Sequence, residues 1–456
     1  MIHAELTFLG GAGTVTGSKH LLTIQDKKIM IDCGLFQGIK EERLLNWKPF
    51  AIPAKEVDAI VITHAHLDHT GYIPLLVKQG FHGPIYCSAP TAELAKLILL
   101  DSAKIQMEDA EHANQYGYSK HSPALPLYDT NDVEKTLPLF KILVPDQWHS
   151  IFLKQLDIRL SNSGHILGST FVEARVGDKV IVFSGDLGKE HPLTLQPRKI
   201  IHKADVLVVE STYGDRCHPE EHPSESLAKI INDTISKDGH ILIPAFAIGR
   251  TQDILFLLSK LKKENRIPNV PIYVDSPMAD RATGIFDRYP EWHRLDSTAL
   301  KSLSSTFQHV LTPEKSKELC ESKTPSIVLA GSGMLTGGRI RHHLMTRISD
   351  SKNSIILVGF QAAGTLGRHL REGASEIKLY GKYLPVKAKI FEISSLSAHA
   401  DQHEIISWIS GFQHKPTQIF LVHGEPNASE GLRVRITDTF KIPVHIAKLN
   451  EKVSCF

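Results

Sequence analysis

The stretch VITHAHLDHT (residues 61–70) sets His64, His66, Asp68 and His69 within six positions, directly after the apolar β-forming run AIVIT (59–63). Imidazoles and a carboxylate at this spacing are ligands for zinc, which binds them at about 2.0–2.2 Å. An extended loop sends His64 and His66 to one side and bends Asp68 and His69 towards a second point. Four ligands are more than one tetrahedral ion needs, so the cluster predicts two ions. Its place at a strand's C-terminal end is where α/β proteins gather their sites. A solvated histidine-rich loop, the plain alternative, leaves both spacing and placement unexplained. A two-metal site needs more ligands, and other strand ends offer them: His165 in SNSGHILGS, Asp186 in VIVFSGDLG, His423 in IFLVHGE and Asp32 in IMIDCG.

Strand ends imply strands and a sheet to hold them. Candidate strands are 20–24, 28–31, 59–63, 179–184, 206–210, 240–243, 326–330, 354–359 and 418–422. Many are unbroken Ile/Val runs, as in sheets covered on both faces. Candidate helices are 90–116, 225–237, 250–263 and 401–410. In the third, Ile254, Leu257, Leu258 and Leu261 share one face. Alternating strands and helices predict an α/β protein. With 456 residues the chain is long for one core, and two or three domains are expected.

Composition excludes little. Lys plus Arg is 52 against 50 for Asp plus Glu, a net charge of +2, which neither demands nor forbids a nucleic-acid partner. No stretch approaches a membrane span, and the N-terminus lacks a secretion pattern. The five cysteines (33, 87, 217, 320 and 455) show no metal-knuckle spacing and read as reduced thiols, which predicts a cytoplasmic location.

HAHLDH together with Asp32, His165 and Asp186 resembles the metallo-β-lactamase superfamily. The resemblance implies an αββα sandwich with a metal site along one edge. It assigns His64, His66, His165 and Asp186 to a first zinc. Asp68, His69, Asp186 and His423 go to a second, with Asp186 bridging. Asp32 would orient ligands from behind. The aspartate of HxHxDH, Asp68, favours a hydrolytic dizinc site over redox iron and is counted with the catalytic residues.

Asp186 and His423 lie 237 positions apart, so a whole domain intervenes. ESTYGDR (210–216), PAFAIGRTQ (244–252), GSGMLTGGR (331–339), GFQAAGTLGR (359–368), SLSAHAD (395–401) and LVHGE (421–425) are similar to the β-CASP group, nucleases with a domain inserted in that sandwich. The expected division is 1–209 and 386–456 for the sandwich and 210–385 for the insertion. The group's three extra motifs fall on Glu210, His399 and His423. A histidine at the third is the pattern of RNA-directed members. SAHAD resembles the endonuclease of the cleavage and polyadenylation machinery and its bacterial relatives.

These matches imply a zinc ribonuclease that hydrolyses single-stranded RNA, with a site bounded by sandwich and insertion, and they admit a homodimer. Two metals activate water and clamp the phosphate. The leaving oxygen still needs a proton, and His399, held by Glu210, is the expected acid. Ser332 and Gly333, with Arg339 just beyond, are candidate phosphate contacts in a Gly-rich turn. Arg250 and Arg368 are further candidates, and Tyr213 is placed to stack on a base or to orient Glu210. Cutting from a 5′ end, hydrolysis of a small molecule such as a thioester or lactone, and a metal-free scaffold are the competing readings. The filled ligand set speaks against the last.

Overall fold

The computed structural model describes residues 3–456 apart from 118, 120, 153–154 and 221, and apart from the side chain of residue 304. The chain forms two compact units, one of Met1–His191, Pro197–Cys217 and His399–Phe456, the other of Pro192–Gln196 and His218–Ala398.

The first unit is built on two seven-stranded sheets. One runs in the order Lys452–Ser454, Ala4–Gly10, Lys19–Ile24, Lys27–Cys33, Ala59–Val61, Ile85–Cys87, Phe140–Ile142, and is parallel from Lys27–Cys33 onward. The other runs Val444–Ile446, Gln418–Val422, Val206–Glu210, Lys179–Phe183, Thr170–Val176, Leu156–Asn162, His149–Phe152, with its first four strands parallel. Their facing side chains, among them Phe8, Ile29, Ile31, Phe183, Val208 and Phe420, make one buried core.

The unbroken apolar runs follow from layering. Along Val206–Glu210, Val206 and Val208 join the core between the sheets. Leu207 and Val209 join a second core, shared with Ile405 and Trp408 of helix Gln402–Ser410 and Leu432 and Ile436 of helix Pro426–Phe440. On the opposite side Met30, Ile60 and Ile62 pack with Leu99 and Ala103 of helix Ala89–Tyr116. Both sheet faces are therefore dry, as parallel sheets require, and the four layers are α, β, β, α.

The second unit carries a six-stranded sheet, Gln308–His309, Ile272–Asp275, Ile327–Ala330, Ile241–Pro244, Ser354–Leu357, Lys389–Glu392, in which every neighbouring pair is parallel. The stripe of helix Arg250–Lys263 that includes Ile254, Leu257, Leu258 and Leu261 is buried. The expected insertion ended at 385. Strand Lys389–Glu392 pairs with Ser354–Leu357, so the unit continues to Ala398. It begins at His218 rather than 210, because Glu210 ends a strand of the first unit. Among the described residues no helix is long and apolar enough to cross a membrane.

Candidate metal centre

Parallel strands bring their C-terminal ends to one edge. Asp32 lies near the end of Lys27–Cys33, His64 three residues beyond Ala59–Val61, Asp186 three beyond Lys179–Phe183, Glu210 at the end of Val206–Glu210, and His423 just beyond Gln418–Val422. Only part of HAHLDH is an extended loop. Leu67–Thr70 is a single helical turn, with the His66 carbonyl accepting from the N–H groups of His69 and Thr70 at 3.0 Å each. That turn redirects Asp68 and His69. It packs so close to the preceding strand that a Cβ on Gly34 would stand 1.6 Å from the Asp68 carbonyl oxygen.

Two separate groups of donors result, His64, His66, His165 and Asp186 forming the first and Asp68, His69 and His423 the second; Asp186 and His423 also converge with His399. In the first, His64 Nε2 lies 3.0 Å from His66 Nδ1, which lies 3.2 Å from His165 Nε2. Asp186 Oδ2 is 3.4 Å from both His64 Nε2 and His165 Nε2. In the second, His423 Nε2 is 3.3 Å from Asp68 Oδ2. Asp186 Oδ1, buried and outside any hydrogen bond, lies 3.2 Å from His69 Nε2 and 3.5 Å from His423 Nδ1. One Asp186 oxygen thus faces each group.

The donors fit a zinc-type cation. Ligands about 2.0–2.1 Å from one tetrahedral ion stand roughly 3.3–3.4 Å apart, close to the spacing in the first group. His66 Nδ1 faces both His64 Nε2 and His165 Nε2, and a proton there satisfies only one of these pairs at a time, whereas a cation takes all three lone pairs. Burial, the largest influence, pushes the pKa of His66 down to about 3 and also lowers those of His64 and His165, leaving neutral imidazoles. Burial would raise Asp68 and Asp186. The surrounding histidines outweigh it and hold both well below the usual carboxylate range. His69 is the exception: burial lowers it, but Asp186 and then Asp32 raise it well above an ordinary histidine. A cation bound at its Nε2 takes the place of that proton.

Residues behind the ligands fix their tautomers. Asp32 Oδ2 lies 2.7 Å from His69 Nδ1 and accepts from Thr63 Oγ1 at 2.8 Å, while Asp32 Oδ1 accepts the Thr63 N–H at 2.7 Å. Thr63 Oγ1 in turn lies 3.0 Å from His64 Nδ1. With its own proton given to Asp32, this hydroxyl accepts the His64 Nδ1–H, which leaves Nε2 bare towards the cluster. Thr212 Oγ1 stands 3.0 Å from His423 Nδ1. Asp32 and His423 both adopt left-handed backbone, φ 57° and 50°, the kind of strain that persists where surrounding structure enforces a site.

His399 and Glu210 meet beside this cluster. His399 Nδ1 is 3.1 and 3.0 Å from the two Glu210 oxygens, and its Nε2 is 3.9 Å from Asp186 Oδ2. Burial opposes protonation of His399, yet Glu210 and then Asp186 overcome it and raise its pKa to about 9. Glu210 Oε1 also accepts the Leu187 N–H at 2.5 Å. Sequence reasoning did not reach Thr63, Thr212 or Arg198. Arg198 is buried and donates to the carbonyls of Gly188 (2.6 Å) and Glu404 (2.7 Å), and Gly188 forms a β-bridge with His399. Only Thr63 left a signal, as the residue preceding HAHLDH.

The expected substrate contacts are spread out. Tyr213 is buried in the first unit, its ring centre 6.3 Å from that of His399. The other five lie in the second unit. Ser332 closes its own loop, accepting from the Gly337 N–H at 3.2 Å, and a Cβ on Gly333 would meet the Phe246 ring at 2.6 Å. Arg339 donates to Asp275 Oδ1 (2.7 Å) and to the carbonyls of Val310 (2.8 Å) and Leu311 (3.0 Å). Arg250 pairs with Asp253 at 2.9 Å, and Arg368 with Glu372 at 2.7 Å.

Comparison with known proteins agrees with this architecture. Residues 21–209 match the metallo-beta-lactamase superfamily domain, 251–370 the Beta-Casp domain, and 383–447 the Zn-dependent metallo-hydrolase RNA specificity domain. The chain is 36% identical to Ribonuclease TTHA0252 of Thermus thermophilus over 426 residues, 91% of this chain and 92% of that one. It is 31% identical to the transcription termination factor FttA of Methanosarcina mazei over 459 residues, covering 96% of this chain and 69% of the relative. A crystal structure of a protein of unknown function from Enterococcus faecalis shares the fold, with a TM-score of 0.52 and 14% identity over 99% of this chain and 100% of that one. The chain belongs to the β-CASP group of the metallo-β-lactamase superfamily and is a metal-dependent RNA hydrolase.

Proposed function

We propose that the protein is a cytoplasmic zinc ribonuclease that cuts single-stranded RNA internally, with two zinc ions held by His64, His66, His165 and Asp186 and by Asp68, His69, Asp186 and His423. Two ions there supply a water ionised near neutral pH and neutralise charge on the phosphate. The remaining work belongs to side chains of this chain. Asp186 faces both ligand groups and fixes their separation. Asp32 and Thr63 hold His69 and His64 in the tautomer a cation needs. His399 gives a proton to the leaving oxygen, and Glu210 keeps that proton on the imidazole.

One observation carries the reading. His399 is clamped at Nδ1 by both Glu210 oxygens while its Nε2 edge stands 3.9 Å from Asp186. A charged donor beside a metal cluster is what a poor leaving group such as a ribose oxygen demands. Thioesters and lactones expel better leaving groups and have less need of it.

The test uses an internally labelled single-stranded RNA blocked at both ends, with wild type and His399→Ala at measured zinc content. Internal cuts by wild type, lost in the variant at equal zinc, are the expected result. Cleavage only after one end is unblocked would replace this reading by a 5′–3′ exonuclease. Inert RNA but hydrolysed thioester would replace it by a small-molecule hydrolase.

A further inference from the structure

Strands Glu376–Leu379 and Lys382–Pro385 form an antiparallel hairpin outside the second unit's six-stranded sheet. Its inner residues Ile377 and Leu379 are buried with Leu344 and Leu370, so the hairpin is anchored. Register sets Lys378 opposite Tyr383 and Leu379 opposite Lys382. Tyr380 and Gly381 join the strands, with φ of 47° and 78°. Two left-handed residues make the tight turn that favours Asn-Gly, because a bulky side chain is strained at positive φ.

A tyrosine at the strained position calls for a reason, and burial is not it. Tyr380 is 53% exposed and Tyr383 64%. The Tyr380 ring stacks on exposed His342, with centres 5.3 Å apart and planes 13° apart, and the Arg341 guanidinium stands 4.8 Å from the same ring. Lys378 Nζ stands 5.1 Å from the Tyr383 ring. From 376 to 389 the chain carries Lys378, Lys382, Lys387 and Lys389 against the single acid Glu376. In a chain of net charge +2, that is a local concentration of positive charge.

We propose that this hairpin, with Arg341 and His342, is a binding surface for single-stranded RNA, distinct from the metal centre. Lys378, Lys382 and Arg341 meet phosphates, and a nucleobase extends the Tyr380–His342 stack. Exposed aromatics interleaved with cations are how proteins hold unpaired strands. A duplex hides its base faces. A protein partner of ordinary kind would want an apolar centre poor in charge, whereas here cations flank both rings. The inference rests on the RNA reading above.

Tyr380→Asn separates binding from folding. Asparagine suits the left-handed position, so Tm holds or rises. KM for poly(A) RNA is expected to rise about ten-fold with kcat unchanged, and hydrolysis of bis(p-nitrophenyl) phosphate stays at the wild-type rate. Lys378→Gln and Lys382→Gln should each reduce the slope of log KM against log salt by roughly 0.7, the single-strand value per phosphate contact. A wild type that leaves RNA intact overturns the RNA reading and this surface together. A wild type that cuts RNA, beside a stable Tyr380→Asn with unchanged KM and lysine variants with an unchanged salt slope, overturns this surface alone.

Discussion

Asp32 accepts the Nδ1–H of His69 at 2.7 Å, and this single contact decides which His69 nitrogen points at the metal ligands. The same carboxylate takes both Thr63 donors. Asp32→Ala is expected to weaken zinc binding about 10- to 100-fold, the usual effect of removing a ligand's outer partner. Competition with a chromophoric chelator measures it. The loss should fall first on the ion bound through His69.

His399 and Glu210 are in direct contact, so under the proposed mechanism their variants should share a signature. His399→Ala is expected to slow RNA cleavage by about 10²–10⁴-fold, the range for a general acid. Zinc content should be unchanged. Hydrolysis of bis(p-nitrophenyl) phosphate, whose leaving group needs no proton, should fall far less. Arg198→Met, which removes the donor to the carbonyl of Gly188, the residue paired with His399, should show a milder form of the same pattern.

The acid must be protonated to work, so its activity is present below its pKa and lost above it. As the proposed acid, His399, held above the ordinary histidine range by Glu210, is expected to set an alkaline limb above neutrality. Glu210 is the largest raising influence. Glu210→Gln should move the limb to lower pH, read from kcat between pH 6 and 10 at saturating RNA (a range spanning roughly the ordinary and shifted histidine values).

Asp275 tests the second unit's integrity. Its fully buried carboxylate accepts from Ser316 Oγ (2.5 Å), Arg339 (2.7 Å) and His343 Nε2 (2.7 Å). Asp275→Ala removes the acceptor of the His343 Nε2–H and of one Arg339 N–H, and is expected to destabilise by about 1–3 kcal/mol, the cost of a buried donor left unsatisfied. Denaturant unfolding reports it.

Much of the convergent cluster was legible because the side chains that meet there sit at the ends of apolar runs, and a run's end is visible without knowing its neighbours. Asp32, Asp186 and His423 each follow such a run, and HAHLDH is contiguous. Helices Ala89–Tyr116 and Arg250–Lys263 follow the apolar periodicity within a residue of the expected limits. Arg198 was illegible, since its acceptors are backbone carbonyls and any residue supplies those. Arg339 shows the same limit from the other side: nothing local announces that Asp275, 64 positions earlier, holds its guanidinium. Strand Lys389–Glu392 was assigned to the C-terminal part of the sandwich, because as an edge strand with no buried residue it carries no mark of the sheet it joins, that of Ser354–Leu357.

The order of the chain has a consequence for synthesis. Strand Val206–Glu210 is flanked in its sheet by Gln418–Val422, made more than 200 residues later, and His423 follows directly on that late strand. Domains fold as they emerge from the ribosome, N-terminal parts first. A nascent chain presenting His64, His66, His165 and Asp186 still lacks His399 and His423. The convergent donor set and the His399–Glu210 contact are therefore assembled only after the chain has been made through strand Gln418–Val422 and His423.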